Sequence, residues 1–310
     1  MVCLGIDTSN YTTSAALYFS QENTIIQAKK LLPVKSGEKG LRQSDAVFHH
    51  TAQLHSVIRH IFKNEIRPDC ICASRAPCMQ EGSYMPCFLV GVNTANAVSK
   101  AAGVPMYETS HQVGHILASL YSVNRLDLIN ERFIAFHLSG GTTEALLVKP
   151  DESEIISAEI IAQSLDLKAG QAVDRTGVML GLDFPCGKQL DLLSRECEQN
   201  FKIKPSMKGL DCSLSGVENK ARTMLENGAS KQETAKFTLT YISQTICEML
   251  KRIKREYGEL PVVFSGGVAS NSLLRQYVNN EFNAYFAQSE FSLDNAAGCA
   301  VYAYLKENRL

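Results

Sequence analysis

The sequence predicts an α/β protein built from two copies of one unit, and three observations predict it. Two apolar, β-prone runs at 2–7 (VCLGID) and 12–18 (TTSAALY) flank the short polar segment Thr8-Ser9-Asn10-Tyr11, which reads as a hairpin. The runs 133–139 (FIAFHLS) and 143–148 (TEALLV) repeat that arrangement around Gly140-Gly141-Thr142, an internal echo of the kind that marks duplication. The apolar run 260–264 (LPVVF) leads into Ser265-Gly266-Gly267, a strand end at which α/β sheets let backbone approach a ligand closely. Each hairpin tip offers backbone N–H groups and hydroxyls, the donors a phosphate needs. Plain hairpins without a ligand are the alternative.

Composition bounds the reading. A chain of 310 residues, 45 % hydrophobic and 20 % charged, can fill two cores and is not a disordered tail. Lys plus Arg (31) nearly balance Asp plus Glu (32), so no global basic field points to nucleic acid, although a local patch could still bind it. Met1-Val2-Cys3-Leu4-Gly5-Ile6-Asp7 lacks a basic stretch followed by a long apolar one, and no run approaches about 20 apolar residues. A soluble cytoplasmic protein without a membrane partner is expected. The ten cysteines lack the spacing of a zinc knuckle and read as reduced thiols, several of them buried.

Between the hairpins, Val34 to Gly40 reads as a loop. Ser44 to Phe62 reads as a helix with Ser44 or Asp45 as N-cap. It carries His49, His50, His55 and His60, dispersed around its circumference, so a solvated or substrate-facing surface is favoured over a metal tract. A strand at 70–74, a loop with Pro77, Gly82 and Pro86, and a helix at 88–102 follow. Beyond the second hairpin, 155–162 is a strand and Gly170–Gly181 a helix ending at a glycine, followed by the turn Phe184-Pro185-Cys186-Gly187. A long helix at 232–257 shows Leu239, Ile242, Ile246, Met249 and Ile253 in steps of three and four, a stripe that reads as core. Asp294 precedes an Ala-rich helix and is placed as its N-cap.

The chemistry gathers at His111-Gln112-Val113-Gly114-His115. Two imidazoles four apart on a helix share a face and can hold one metal ion, with further ligands supplied from elsewhere in the chain. A pair of hydrogen-bonded structural histidines is the alternative. The metalloprotease motif His-Glu-x-x-His is excluded because Gln112 stands where it needs a glutamate, and no P-loop occurs anywhere.

Taken in order, Gly5-Ile6-Asp7-Thr8-Ser9, His111-xxx-His115, Ser139-Gly140-Gly141, Asp174-Arg175, Leu180-Gly181, Pro185-x-Gly187, Gly266-Gly267-Val268-Ala269-x-Asn271 and Asp294-Asn295 resemble the TsaD/Gcp family of tRNA N6-adenosine threonylcarbamoyltransferases, formerly called O-sialoglycoprotein endopeptidases. The resemblance spans almost the whole chain. It implies an actin/sugar-kinase/Hsp70-like fold of two RNase-H-like lobes with a nucleotide in the cleft. The lobes would be 1–128 plus 294–310, and 129–293. It implies His111, His115 and Asp294 as metal ligands, with His137 as an added ligand or, alternatively, a histidine packed on a strand. It implies Ser139, Gly140 and Gly141 at an adenylate phosphate, and Asp174, Gly187 and Asn271 around ribose and base.

The implied cofactors are one divalent metal, iron or zinc foremost, and ATP, AMP or threonylcarbamoyl-adenylate. The implied partners are tRNA and the other subunits of a tRNA-modification complex, with a homodimer as a further option. The implied reaction is transfer of threonylcarbamoyl to the adenosine beside the anticodon, without a Ser or Cys nucleophile. Departures from the family pattern are Thr142 after Ser-Gly-Gly, Gln171 in place of a glutamate, Cys186 and Lys188 in the Pro-Gly-Gly-Pro motif, and Asn10-Tyr11-Thr12 in place of an acidic turn. They keep two alternatives open: a nucleotide-binding scaffold or regulatory paralogue, and a small-metabolite kinase of the same superfold.

Overall fold

The computed structural model describes residues 1–9, 11–33, 41–62 and 66–308; Asn10 of the first turn and the 34–40 stretch read as a loop lie outside them. In chain order the elements are β1 Val2–Asp7, β2 Thr12–Phe19, β3 Thr24–Leu31, α1 Gln43–Ile61, β4 Cys70–Ala76, α2 Phe88–Ala102, β5 Met106–Ser110 and α3 His111–Ser122. Then follow β6 Phe133–Leu138, β7 Thr143–Asp151, β8 Ile155–Gln163, α4 Ala169–Met179, α5 Gly187–Arg195, β9 Ser206–Lys208, β10 Asp211–Ser213, α6 Ser215–Glu226 and α7 Lys231–Tyr257. The chain closes with β11 Val262–Ser265, α8 Ser272–Glu281, β12 Ala284–Phe286, α9 Ser289–Ser292 and α10 Ala297–Asn308. Two compact units result: Met1–Ile129 with Pro150–Ser157 and Glu290–Leu310, and Asn130–Lys149 with Ala158–Ser289.

The duplication expected from the hairpins is present in the sheets. In the first unit the strand order is β3-β2-β1-β4-β5, with β1 antiparallel to β2 and parallel to β4. In the second it is β8-β7-β6-β11-β12, with β6 antiparallel to β7 and parallel to β11. Each hairpin therefore supplies the centre of its sheet, and the parallel strands arrive through helical crossovers.

In the first unit, His50, Leu54, Val57 and Ile61 of α1 are buried on one face, in steps of four, three and four. Leu54, Val57 and Ile61 join Leu4, Ile6, Ala15 and Leu17 of the sheet in one core. His50 is a core histidine paired with Thr13 Oγ1 at 2.8 Å, while His55 and His60 face solvent, in keeping with the dispersed spacing. The cap assignment needs correction: the N-cap is Arg42, without a side-chain hydrogen bond, and Ser44 and Asp45 sit inside the first turn. All ten cysteines are free thiols, and nine are buried.

The second unit is built on α7. Its stripe Leu239, Ile242, Ile246, Met249 and Ile253 is buried throughout. At roughly 1.5–3 kcal/mol per buried aliphatic side chain it contributes on the order of 10 kcal/mol, far above what helix propensity alone provides. Ser230 and Glu233 form a reciprocal cap at its start, with Glu233 N to Ser230 Oγ at 3.1 Å and Ser230 N to Glu233 Oε2 at 2.7 Å. On the sheet, Phe136, Phe264 and Phe286 occupy register partners of β6, β11 and β12 and stack at 4.7 and 4.9 Å.

One loop of this unit gives a pH-dependent prediction. The Asp166 carboxylate accepts from the N–H groups of Leu167 (2.6 Å), Leu214 (2.7 Å) and Ser215 (3.2 Å) and from Ser215 Oγ (2.6 Å), tying the end of β8 to the start of α6. Desolvation pushes this carboxyl up, but the donors of Ser215, Leu214 and Leu167 outweigh it and hold it below its ordinary value. A depressed carboxyl stabilises the fold above its unfolded pKa, and the contribution is lost as pH falls through the folded one. Asp166→Asn is therefore expected to cost about 1 kcal/mol at pH 7 by the hydrogen-bond scale. In thermal melts the gap to wild type should close under acid conditions below the unfolded carboxylate range.

Candidate functional site

Strand β5 ends at Ser110, whose extended backbone and side chain start α3: Ser110 Oγ accepts from Val113 N at 3.2 Å. The helix thus opens on His111, and His115 stands one turn later with the ring centroids 4.3 Å apart. Asp294, distant in sequence, reaches both rings. His115 Nε2 lies 3.1 Å and His111 Nε2 3.6 Å from Asp294 Oδ1. Behind them, Asp7 at the end of β1 takes His111 Nδ1–H on Oδ2 at 2.7 Å and the Ser9 N–H on Oδ1 at 2.8 Å. Thr12 Oγ1 donates to Asp294 Oδ2 at 3.4 Å. Among the described residues, His111, His115 and Asp294 are the group of three whose ligand atoms all lie within 4.8 Å of one another. In the second unit, His137 on β6 has its Nδ1 3.1 Å from Ser265 Oγ.

The helix cap expected at Asp294 belongs to its neighbour. Asn295 Oδ1 accepts from Ala297 N at 2.9 Å, and Asn295 Nδ2 donates to Leu293 O (2.6 Å) and Phe291 O (3.1 Å). Asn295 both begins α10 and braces the loop, so the Asp294 carboxylate is turned to the histidines instead.

The charges are strongly coupled. Burial alone would push the Asp7 carboxyl up, but the charge and hydrogen bond of His111 hold it below its ordinary value. For Asp294, burial again opposes the charge, and the hydrogen bonds from His111 and His115 override it and hold the carboxyl far down. Burial lowers His111, but Asp7 on one side and Asp294 on the other drive it well above the usual imidazole value.

The donor set fits a divalent metal. Metal–ligand bonds of about 2.0–2.2 Å bring ligand atoms within about 4 Å of each other, so a small inward movement of these side chains completes the set. The Asp7–His111 hydrogen bond is the carboxylate–histidine brace that fixes tautomer and ring orientation in metal sites. His111 and His115 keep side-chain exposures of 13 % and 12 %, and Asp294 32 %, so the group is accessible from one side.

The second unit gathers the other expected residues. The turn after β6 closes through Ser139 N to Thr142 O (2.7 Å) and Thr142 N to Ser139 Oγ (3.1 Å). Helix α4 starts against it: Gly170 N donates to Ser139 O at 3.0 Å and Ala169 N to Thr143 Oγ1 at 2.8 Å. A methyl group on Gly170 would sit 2.6 Å from Gly140 N, so this approach requires glycine. Gly266, with φ +91°, lies against Leu138 at the other side of the same strand end. Gly140 and Gly141 face open space. The result is a backbone turn with a helix N-terminus beside it, an arrangement suited to a phosphate.

Asp174 Oδ1 accepts from Cys186 N at 2.9 Å, fixing the turn ahead of Gly187 and α5. Asn271 caps α8, accepting from Leu274 N at 3.0 Å, and its Nδ2 donates to Asp191 Oδ1 at 2.9 Å. Gln171, where the family pattern has glutamate, accepts from Lys168 N at 3.3 Å as a helix-end partner. Sequence reasoning missed Asp191, which also binds Ser272 Oγ (2.8 Å) and Arg195 (2.6 Å), and it gave Asp7 no role. One signal was at hand for Asp7, an acid ending an otherwise apolar strand. Asp191 had none beyond its place four residues after Gly187.

The family model described as tRNA N6-adenosine threonylcarbamoyltransferase, TsaD, matches residues 26–301. The chain belongs to the TsaD family. A relative of that name from Riemerella anatipestifer is 28 % identical, covering 99 % of this chain and 93 % of its own. Another from Bacillus subtilis is 30 % identical, covering 91 % and 82 %. Among solved structures, component A of the (R)-2-hydroxyglutaryl-CoA dehydratase of Acidaminococcus fermentans superimposes with a TM-score of 0.57 at 15 % identity, covering 99 % of both chains. At that identity the likeness shows the fold alone, and it is the actin/sugar-kinase/Hsp70-like fold. Among the described residues no helix is long and apolar enough to cross a membrane.

Proposed function

We propose that this TsaD-family chain transfers a threonylcarbamoyl group from threonylcarbamoyl-adenylate to the N6 amine of the tRNA adenosine beside the anticodon, releasing AMP. The convergence of His111, His115 and Asp294, with Asp7 behind His111, carries the reading. A divalent ion, iron or zinc foremost, would be held by these three side chains and supplies Lewis-acid polarisation of a phosphate or carbonyl oxygen. Asp7 keeps the Nδ1 proton of His111 and leaves Nε2 as donor atom.

In the second unit, the N–H groups of Gly140 and Gly141, on the turn that Ser139 closes, and the N-terminal end of the α4 dipole bind the adenylate phosphate. Asp174, Gly187 and Asn271 hold ribose and base, and Asp191 fixes the Asn271 amide. The acceptor amine forms a bond to the carbamoyl carbon as the bond to the phosphate oxygen breaks. AMP leaves with the oxygen, and the amine proton passes to the departing phosphate or to water. Positioning suffices, and no side chain becomes acylated. Cytoplasmic tRNA and partner subunits complete the setting.

A second reading rests on a specific observation. Thr12 and Gln171 stand where acids are usual, and here they act as a hydroxyl donor to Asp294 and a helix-end acceptor. Such a chain could bind adenylate as a scaffold without transferring the group. Nucleoside analysis of tRNA incubated with protein, threonylcarbamoyl-adenylate and metal, with and without partner subunits, separates the two. Modified adenosine in the wild-type reaction and its loss in Asp294→Ala support transfer. Absence of product while AMP still binds rejects transfer in favour of the scaffold.

A further inference from the structure

The second unit contains a groove of about 450 Å³ whose lining includes Asp174 but none of the other residues assigned to the adenylate. Asp174, Arg175 and Val178 of α4 line one side, Phe184 of the following turn the end, and Glu218 and Arg222 of α6 the other side. Phe184 is 75 % exposed and Val178 59 %, an aromatic ring and an aliphatic side chain standing in water. Arg175 Nη1 donates to Glu218 Oε2 at 2.8 Å, and Arg222 Nη2 lies 3.5 Å from Glu218 Oε1. One carboxylate therefore steers two guanidinium groups, each 56 % exposed, and their remaining donors are left for a ligand. The other acid of the lining, Asp174, has Oδ1 on the Cys186 N–H.

We propose that this groove binds one nucleotide of the single-stranded acceptor RNA, its base stacked on Phe184 and its phosphate held by Arg175 and Arg222. The inference rests on the reading that the acceptor is RNA. Proteins read unpaired RNA by stacking splayed bases on aromatic rings and gripping phosphates with arginine forks, and the groove supplies both elements side by side. Its volume accommodates a base with its sugar. Arg175 and Arg222 balance Asp174 and Glu218 in the lining, so the phosphate is gripped by the exposed guanidinium donors beyond those facing Glu218 and not by a net positive field. Asp174, assigned above to the adenylate ribose, also lines this groove, so the RNA nucleotide would bind next to the adenylate.

The test measures binding of an RNA stem-loop with an adenosine in its single-stranded loop, and separately of AMP, to the wild-type chain and to Phe184→Ala, Phe184→Tyr and Arg222→Ala. All the replaced side chains are exposed, so folding is preserved, and thermal melts check it. Phe184→Ala is expected to weaken RNA binding about tenfold, while Phe184→Tyr, which keeps a stacking ring, retains it. Arg222→Ala should weaken binding and reduce the salt slope by about one. AMP affinity should stay at the wild-type value throughout. Unchanged RNA affinity in Phe184→Ala and Arg222→Ala, with wild type binding RNA, overturns the groove and leaves the RNA acceptor standing. No RNA binding by wild type overturns both, and loss of a protein partner instead of RNA in these variants overturns the groove in favour of a protein interface.

Discussion

Replacing His115 by alanine is expected to strip the protein of bound metal. The proposed set has three protein donors, and loss of one leaves His111 and Asp294, too few to retain a divalent ion against a chelator. The affinity loss should exceed the roughly 10–100-fold that removal of an outer hydrogen-bond partner costs in metal sites. Asp7→Asn supplies that comparison: it keeps the shape but weakens the brace on His111 Nδ1, and the same 10–100-fold range is the expectation for it. Elemental analysis after dialysis, followed by chelator competition, gives both values. About one equivalent of metal in wild type, little in His115→Ala and a weakened site in Asp7→Asn form the expected series. Equal content in all three would remove the metal centre.

The second large effect concerns a residue that touches no ligand. A methyl group placed on Gly298 would overlap the carbonyl oxygen of Gly114, because α10 and α3 cross with backbone against backbone. Gly114 lies between His111 and His115, and α10 begins three residues after Asp294. Gly298→Ala must therefore push apart the two helices that frame the three donors. Overpacking costs of about 1–3 kcal/mol, occasionally more, apply where a neighbour can yield; here the neighbour is backbone, so the upper end is expected. A fall in melting temperature together with lost metal content is the outcome to look for. Gly114→Ala is the control. Its methyl group would meet Cys299 Sγ at 3.6 Å, an ordinary contact, and it should leave both readouts near wild type.

Much of this architecture is legible in the sequence because the signals are periodic. The stripe of α7 and the two hairpins repeat over enough residues to override local ambiguity, and the duplicated sheet order follows from them. The strands β9 and β10 are three residues each, too short to carry a period, and leave no such signal. The starts of α1 and α10 escape sequence reading for a related reason. Capping residues cluster near helix ends, and composition alone does not say which of two neighbours faces the free N–H groups. Ser44 and Asp45 fall inside the turn, and Asn295 takes the place expected for Asp294. For the candidate site, the helical spacing of His111 and His115 is visible as a chemical pair. The meeting with Asp294 and the brace from Asp7 depend on contacts across 179 and 104 positions, which no local pattern records.

The neighbours Asp294 and Asn295 divide two tasks that a single side chain would have to compromise between. An amide both donates and accepts, so Asn295 can stitch a bend and start a helix at once, whereas a carboxylate can only accept. Exchanging the two identities should leave a chain that still begins α10, since aspartate caps helices well, but that presents a neutral amide to the imidazoles. Such a swap would uncouple shape from charge at this corner, keeping the loop's outline while erasing its appetite for a cation.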